Sequence, residues 1–309
     1  MKVYSPVTGS EAVRSDDVSI AKIVQKYESE GIDVSEYFRG IDSLSIYECQ
    51  DTKYRFFYPF ITGDEAFYAR LQQITGYYPG WKWENEVAAG FINESDKILD
   101  IGCGEGFFLD QIREKKQCVV TGLEFNQKAV DACHEKGIDA YKVPVGEFAD
   151  ARPGEFDAVC MFQVLEHIVD VKDFLDSAVR MLKKNGVLII GVPNNTPYIF
   201  MRDKYCTLNL PPHHIGLWNQ ISLRNIGGFF EMTPVEIIEE PSGAYIDYYS
   251  SDYLTVAADN APASLVKSAF RVLNIISELP LIRRIKRPIL NLFSGSLPGH
   301  SIVAVYRKT

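Results

Sequence analysis
A chain of 309 residues with 46% hydrophobic and 24% charged positions is long enough for one large or two modest domains, and its composition is that of a globular protein. Its formal charge of −9 argues against nucleic acid as a main partner, because phosphate binding calls for a basic surface. No run approaches the roughly 18 to 20 apolar residues of a membrane span; the opening Met1-Lys-Val-Tyr-Ser-Pro lacks an apolar leader, and six widely spaced cysteines fit reduced core thiols, so a cytoplasmic location is expected.

The chain opens on Ser5-Pro-Val-Thr8 and returns to Cys49-Gln-Asp-Thr52. Paired C-x-x-C elements so separated would make a zinc ribbon, but one thiolate cannot hold a structural zinc that takes four N or S ligands. Between them, apolar residues at Val18, Ile20, Ile23, Val24 and Tyr27 predict an amphipathic helix over 16–30. Tyr54 to Phe60 reads as an aromatic strand and Asp64 to Ile74 as a helix, followed by the aromatic patch Gly76-Tyr-Tyr-Pro-Gly-Trp-Lys-Trp-Glu84.

Lys97-Ile-Leu-Asp-Ile-Gly-Cys-Gly-Glu-Gly106 is a short apolar run with one acid, Asp100, that breaks into glycines at 102, 104 and 106 before a helix from Phe107. This is a strand, a tight turn and a helix start. Glycine suits it because a side chain would hold the backbone away from a ligand and because such turns use positive φ. A nucleotide-like cofactor is expected over the turn. The next strand, from Cys118, ends in Glu124, at the spacing where a carboxylate on the neighbouring parallel strand reaches ribose hydroxyls.

Strands and helices then alternate, as a parallel sheet requires. A helix is predicted over 126–136, a strand over 140–143, the segment Pro144-Val-Gly-Glu-Phe148, a strand over 156–162 leading into Gln163-Val-Leu-Glu-His167, a helix over 173–182, the turn Lys183-Lys-Asn-Gly186, and the strand Val187–Val192 running into Pro193-Asn194.

In this order the pieces resemble the class I S-adenosylmethionine-dependent methyltransferases, of the type 11/23-like kind, over about residues 80–240 and the last strand. The spacing G-x-G-x-G, rather than G-x-G-x-x-G, speaks against a nicotinamide oxidoreductase. The resemblance implies an α/β, Rossmann-like, seven-stranded sheet with six parallel strands and one antiparallel strand in an edge hairpin. An N-terminal cap would span 1–80, the core 81–240 and 299–309, and a mostly helical insertion 241–298. Some methyltransferases of this kind carry a zinc ribbon ahead of the core, so the opening segment resembles a degenerate one.

The implied cofactor is S-adenosylmethionine, with S-adenosylhomocysteine as product; no metal is expected. The candidate cofactor-binding residues are Asp100, Gly102, Cys103, Gly104, Gly106, Glu124 and Phe125, with Val145, Gly146 and Glu147 at the adenine and Gln163 at the methionine end. Tyr77, Tyr78 or Trp81 either packs between cap and core or closes over the sulfonium by cation–π attraction.

Methyl transfer needs mainly near-attack positioning and exclusion of water. A hydroxyl acceptor adds the need for a base. Two adjacent histidines after two prolines should sit on extended backbone with their rings pointing in opposite directions, which makes His213 and His214 the best base candidates, with His167 behind them. Asn194, Tyr245 and Tyr249 are candidate acceptor contacts, and analogy within the family suggests a sugar or glycan-precursor hydroxyl. Basic residues within 281–293 would allow weak contact with a membrane surface or a partner. A monomer or homodimer, and a catalytically silent methyltransferase-like scaffold, remain compatible with the sequence.

Overall fold
The computed structural model describes residues 2–64, 66–68, 70, 71, 80–195, 204–241 and 298–309. Its first regular element is a strand where the front of a helix was expected. Strand β1, Ala12–Val18, pairs antiparallel with β2, Leu44–Cys49, setting Val18 against Leu44. Helix α1, Ile20–Ser29, starts only after Ser19, whose side chain accepts a hydrogen bond from the Lys22 amide. That cap explains why the predicted helix begins later than its apolar pattern suggested. Ile23 and Tyr27 are the buried face of α1. Strand β3, Arg55–Tyr58, pairs with β2.

The central sheet follows in alternation: α2 Trp83–Ala89, β4 Lys97–Ile101, α3 Phe107–Lys116, β5 Val119–Leu123, α4 Gln127–Glu135, β6 Asp139–Tyr141, α5 Val145–Ala151, β7 Phe156–Phe162, α6 Val171–Met181 and β8 Leu182–Pro193. After these come β9 Gly216–Leu217, α7 Gln220–Ile226, β10 Met232–Pro241 and β11 Pro298–Lys308. The large sheet has seven strands in the order β10-β11-β8-β7-β4-β5-β6. Neighbours from β8 to β6 run parallel, and β11 lies antiparallel against β8, with Ile302 opposite Val192. This is the expected α/β, Rossmann-like architecture.

Side chains on a strand alternate between faces, and here that alternation sorts the core into two. Leu99, Ile101, Val159, Met161, Leu188 and Ile190 pack on one face with residues of α5, α6 and α7, including Phe148, Leu175 and Leu223. Ile98, Ala158, Cys160, Val187 and Ile189 pack on the other with residues of α2, α3 and α4, including Ala88, Leu109 and Val130. Both faces being covered, β4 reads as a nearly unbroken buried run.

The small sheet has the order β1-β2-β3-β9, so a two-residue strand far along the chain completes the N-terminal sheet. No local pattern in the sequence marks that pairing. Tyr54 stacks on Trp218 at 4.0 Å between ring centroids, and the Tyr27 hydroxyl donates to the carbonyls of Thr207 and Leu210. The segment before and through β9 is thereby fixed to the first sixty residues.

The chain divides into two compact units, one of residues 1–193, 205–238 and 301–309, the other of residues 194–204 and 239–300. Among the described residues no helix is long and apolar enough to cross a membrane.

Candidate active site
The glycine turn between β4 and α3 needs glycine at each of its three positions. Gly102, Gly104 and Gly106 have φ of 77°, 54° and 75°, a left-handed region that side chains disfavour. A Cβ on Gly102 would also stand 2.4 Å from Val164 Cγ2, and one on Gly106 2.9 Å from Cys133 Sγ. The amides of Gly102 and Cys103 donate to the Leu123 carbonyl at 2.8 and 3.1 Å, which ties the turn to the end of β5.

Glu124 closes the same turn from the next strand. Its Oε2 accepts the Gly104 amide at 3.0 Å and its Oε1 the Asn126 amide at 2.8 Å. Asp100, on β4, is buried, and its Oδ1 has no hydrogen-bond partner. Burial, with Glu124 nearby, pushes its carboxyl well above the usual carboxylate range. Of the other turn candidates, Cys103 is buried beside Gly122, whereas Phe125 is 64% exposed.

Val145, Gly146 and Glu147 form the first turn of α5. Val145 belongs to the core and Glu147 is exposed. Gly146 faces α6, since a Cβ there would meet Ser177 Oγ at 3.8 Å. The side chain of Val145 is thus occupied in packing.

At the carboxyl end of β7, Gln163 has φ of 56° and donates its amide to Gly191 at 2.8 Å. Its side chain donates to Glu84 Oε2 at 3.2 Å. Glu84, in the first turn of α2, is buried, and burial raises its carboxyl against the pull of Lys82, Gln163 and Ser301. The sequence showed Glu84 only as the end of an aromatic patch; nothing local marks a carboxylate that will be buried at a strand end. Trp81 is not a free aromatic face: Lys115 Nζ sits 3.6 Å from its ring centroid and its indole N–H donates to Glu86 at 2.7 Å. Tyr77 and Tyr78 lie outside the described residues, as do Tyr245, Tyr249 and residues 281–293.

The three histidines meet. His167 lies on the short helical turn after β7, and the Ile215 amide donates to the Glu166 carbonyl at 3.0 Å, which brings the 213–215 segment alongside. The expectation of opposed rings on extended backbone fails. The amides of His213 and His214 both donate to the Leu210 carbonyl, so the chain turns there, and the two rings stack with centroids 4.0 Å and planes 28° apart. His167 Nδ1 donates to the His213 carbonyl at 2.7 Å, with the Tyr68 hydroxyl 3.0 Å from the same nitrogen. A carbonyl only accepts, so the Nδ1 hydrogen and the tautomer are fixed.

Burial lowers all three imidazoles: His167 to about 4, His213 to about 3, and His214 well below its ordinary value. Glu166, fully buried, is pushed by burial up to about 8. Neutral histidines that hold a proton this weakly are poorly matched to general-base work at neutral pH. Asn194 belongs to the other unit. It is buried there, its amide donating to the His300 carbonyl at 2.7 Å and its Nδ2 to the Gly299 carbonyl at 3.2 Å, so its polar groups hold it to the 299–300 backbone.

Ser5, Thr8, Cys49 and Thr52 do converge. Burial raises the Cys49 thiol, but hydrogen bonds from Ser5, Thr52 and Thr8 outweigh it and leave the thiol below its ordinary value. One sulfur among three hydroxyls makes no zinc ribbon.

Comparison with known proteins gives the chain a family. The family described as a methyltransferase domain, Methyltransf_23, matches residues 82–261. Over 112 residues the chain is 31% identical to a ubiquinone biosynthesis O-methyltransferase of Dechloromonas aromatica, covering 34% of this chain and 48% of that one. A protein of the same name from Pseudomonas aeruginosa is 28% identical over 143 residues, covering 44% and 59%. The chain thus spans about half the length of these curated relatives. Among solved structures, a SAM dependent methyltransferase from Archaeoglobus fulgidus superposes with a TM-score of 0.49 at 17% identity, over 78% of this chain and 100% of that one.

Proposed function
Because this chain belongs to the methyltransferase-domain family Methyltransf_23, we propose that it binds S-adenosylmethionine at the glycine turn and moves a methyl group to an oxygen of a small polar acceptor. The observation that carries the reading is the turn itself: three glycines at positive φ, held from the adjacent strand by a carboxylate.

The residues present fit the cofactor. At Gly102 a side chain would strike Val164, so the turn keeps its backbone bare. Asp100 and Glu84 are buried acids, and Asp100 holds an oxygen without a hydrogen bond; such acids suit a cationic ligand. Glu124 is the residue for the ribose hydroxyls, the amides of the turn and Gln163 serve the methionine end, and the start of α5 offers backbone to the adenine. When bound, S-adenosylmethionine supplies an electrophilic methyl group on a sulfonium.

The chain's own part is then chiefly to orient donor and acceptor and to exclude water. The sequence placed a general base on His213, His214 or His167. Their depressed proton affinities weaken that assignment and leave positioning as the main contribution. An oxygen acceptor is supported by the relatives, which are named as O-methyltransferases. Their name gives no support to the glycan acceptor that the sequence suggested.

Incubation with methyl-labelled S-adenosylmethionine and panels of hydroxyl, amine and carbon acceptors tests this. Label on the oxygen of hydroxyl compounds is the expected result. Label confined to nitrogen or carbon contradicts the oxygen acceptor. Cofactor binding without transfer to any panel member would favour the silent scaffold.

A further inference from the structure
Among the described residues, the one cluster of side chains able to ligate a metal is a cluster that the methyl-transfer reading leaves without a role. His167, His213 and His214 each offer a ring nitrogen within 4.8 Å of the others. They come from two separate stretches, the turn after β7 and the turn before β9, so the fold assembles the cluster rather than local sequence.

Glu166 stands in the same place. Its side chain is fully buried and neither carboxylate oxygen has a hydrogen bond. Oε1 lies 3.8 Å from His214 Nε2 and 3.9 Å from His167 Nε2, beyond hydrogen-bonding reach of both. His214 Nδ1 is likewise buried without a partner. A buried carboxylate with no partner is costly. A cation among these groups would satisfy the carboxylate and use imidazole lone pairs. His167 is already oriented for this, because its Nδ1–H is held by the His213 carbonyl and its lone pair is therefore on Nε2. An outer hydrogen bond of that kind is how metal-bound imidazoles are fixed.

We propose that His167, His213, His214 and Glu166 form a binding site for a divalent transition-metal cation of the zinc type. Three imidazoles and one carboxylate suit zinc and its neighbours, whereas magnesium and calcium want an all-oxygen shell. Bonds of about 2.1 Å at tetrahedral angles put ligand atoms about 3.4 Å apart, so the nitrogens need to draw in by roughly an ångström or so, within the reach of side-chain torsions. An ion there would tie the end of β7 to the segment leading into β9, so it would act on stability as well as on the site. This inference does not depend on the identity of the acceptor.

The test is the metal content of the full chain expressed with zinc, followed by cobalt titration of the stripped protein. The site predicts about one equivalent of zinc per chain and a visible cobalt band without the near-ultraviolet charge-transfer absorption that thiolate ligands give. It also predicts a lower Tm after chelation that zinc restores. Glu166→Gln and His167→Gln, checked for folding by circular dichroism, should lose the ion. A chain that takes up neither zinc nor cobalt overturns the proposal, as does a cobalt–thiolate spectrum or a folded Glu166→Gln protein that keeps its metal. Should a variant fail to fold, the wild-type stoichiometry, spectrum and chelation shift still decide.

Discussion

Glu124 Oε2 accepts the amide of Gly104 at 3.0 Å, joining the end of β5 to the middle of the glycine turn. With Asn126 on its other oxygen, this carboxylate holds the turn through two backbone amides. Glu124→Ala should therefore cost roughly 1.5–3 kcal/mol of stability, the range for hydrogen bonds to a charged group, and should weaken S-adenosylmethionine binding by about tenfold or more. Glu124→Gln keeps one acceptor oxygen and should fall between. Urea melts and calorimetric titration of both variants check the two effects separately.

Gly102 carries two constraints, a φ of 77° and Val164 Cγ2 at 2.4 Å from a built Cβ. Gly102→Ala is expected to destabilise by about 1–2 kcal/mol from the backbone alone, with the clash adding to it. Val164→Ala removes the clashing methyl, so the double variant should recover part of the loss relative to the sum of the singles. Strictly additive melting shifts would contradict the contact.

Tyr27 joins α1 to the turn before β9 through a hydroxyl shared between the Thr207 and Leu210 carbonyls at 2.9 and 3.0 Å. Tyr27→Phe keeps the buried ring and removes both bonds, while the Leu210 carbonyl keeps the His213 and His214 amides. A loss of roughly 0.5–1.5 kcal/mol in a denaturant titration is expected; an unchanged midpoint would show that these bonds contribute nothing.

The acid limb of the stability curve should depend on Asp157. Partial burial raises its carboxyl, but Lys183 and the Lys97 amide pull harder, and the net shift is downward; both Asp157 oxygens lie within 2.9 Å of Lys183 Nζ. A carboxyl with a depressed folded pKa contributes stability that is fully present above its unfolded value, near 4, and lost as pH falls through the lower folded value. Asp157→Asn should therefore lower Tm at pH 7 and flatten the fall in Tm below about pH 4. An acid limb identical in both proteins would remove the residue from the account.

The central sheet was legible because strands covered on both faces are short apolar runs and the glycine turn is a local signal. Phe156–Phe162 was read to the residue for that reason. What the sequence did not show was set by contacts far apart along the chain. β9 is two residues long and exists only because β3 offers it an edge. Glu84 becomes a buried neighbour of Gln163 only once α2 packs near the end of β7. The histidine pair was found by its adjacency, but its ring geometry depends on a turn at Leu210 that the two prolines did not reveal. The front of α1 was misread because apolar spacing alone does not show that Ser19 will cap it.

The cofactor assignment is tested most directly by calorimetric titration of the purified chain with S-adenosylmethionine, S-adenosylhomocysteine and NADH in parallel, with Gly104→Val as the control. Binding of the first two at micromolar levels is expected, with none of NADH, and with loss of binding in a variant that places a branched side chain at φ of 54°. Failure of both adenosyl compounds to bind the folded wild-type chain would contradict that assignment.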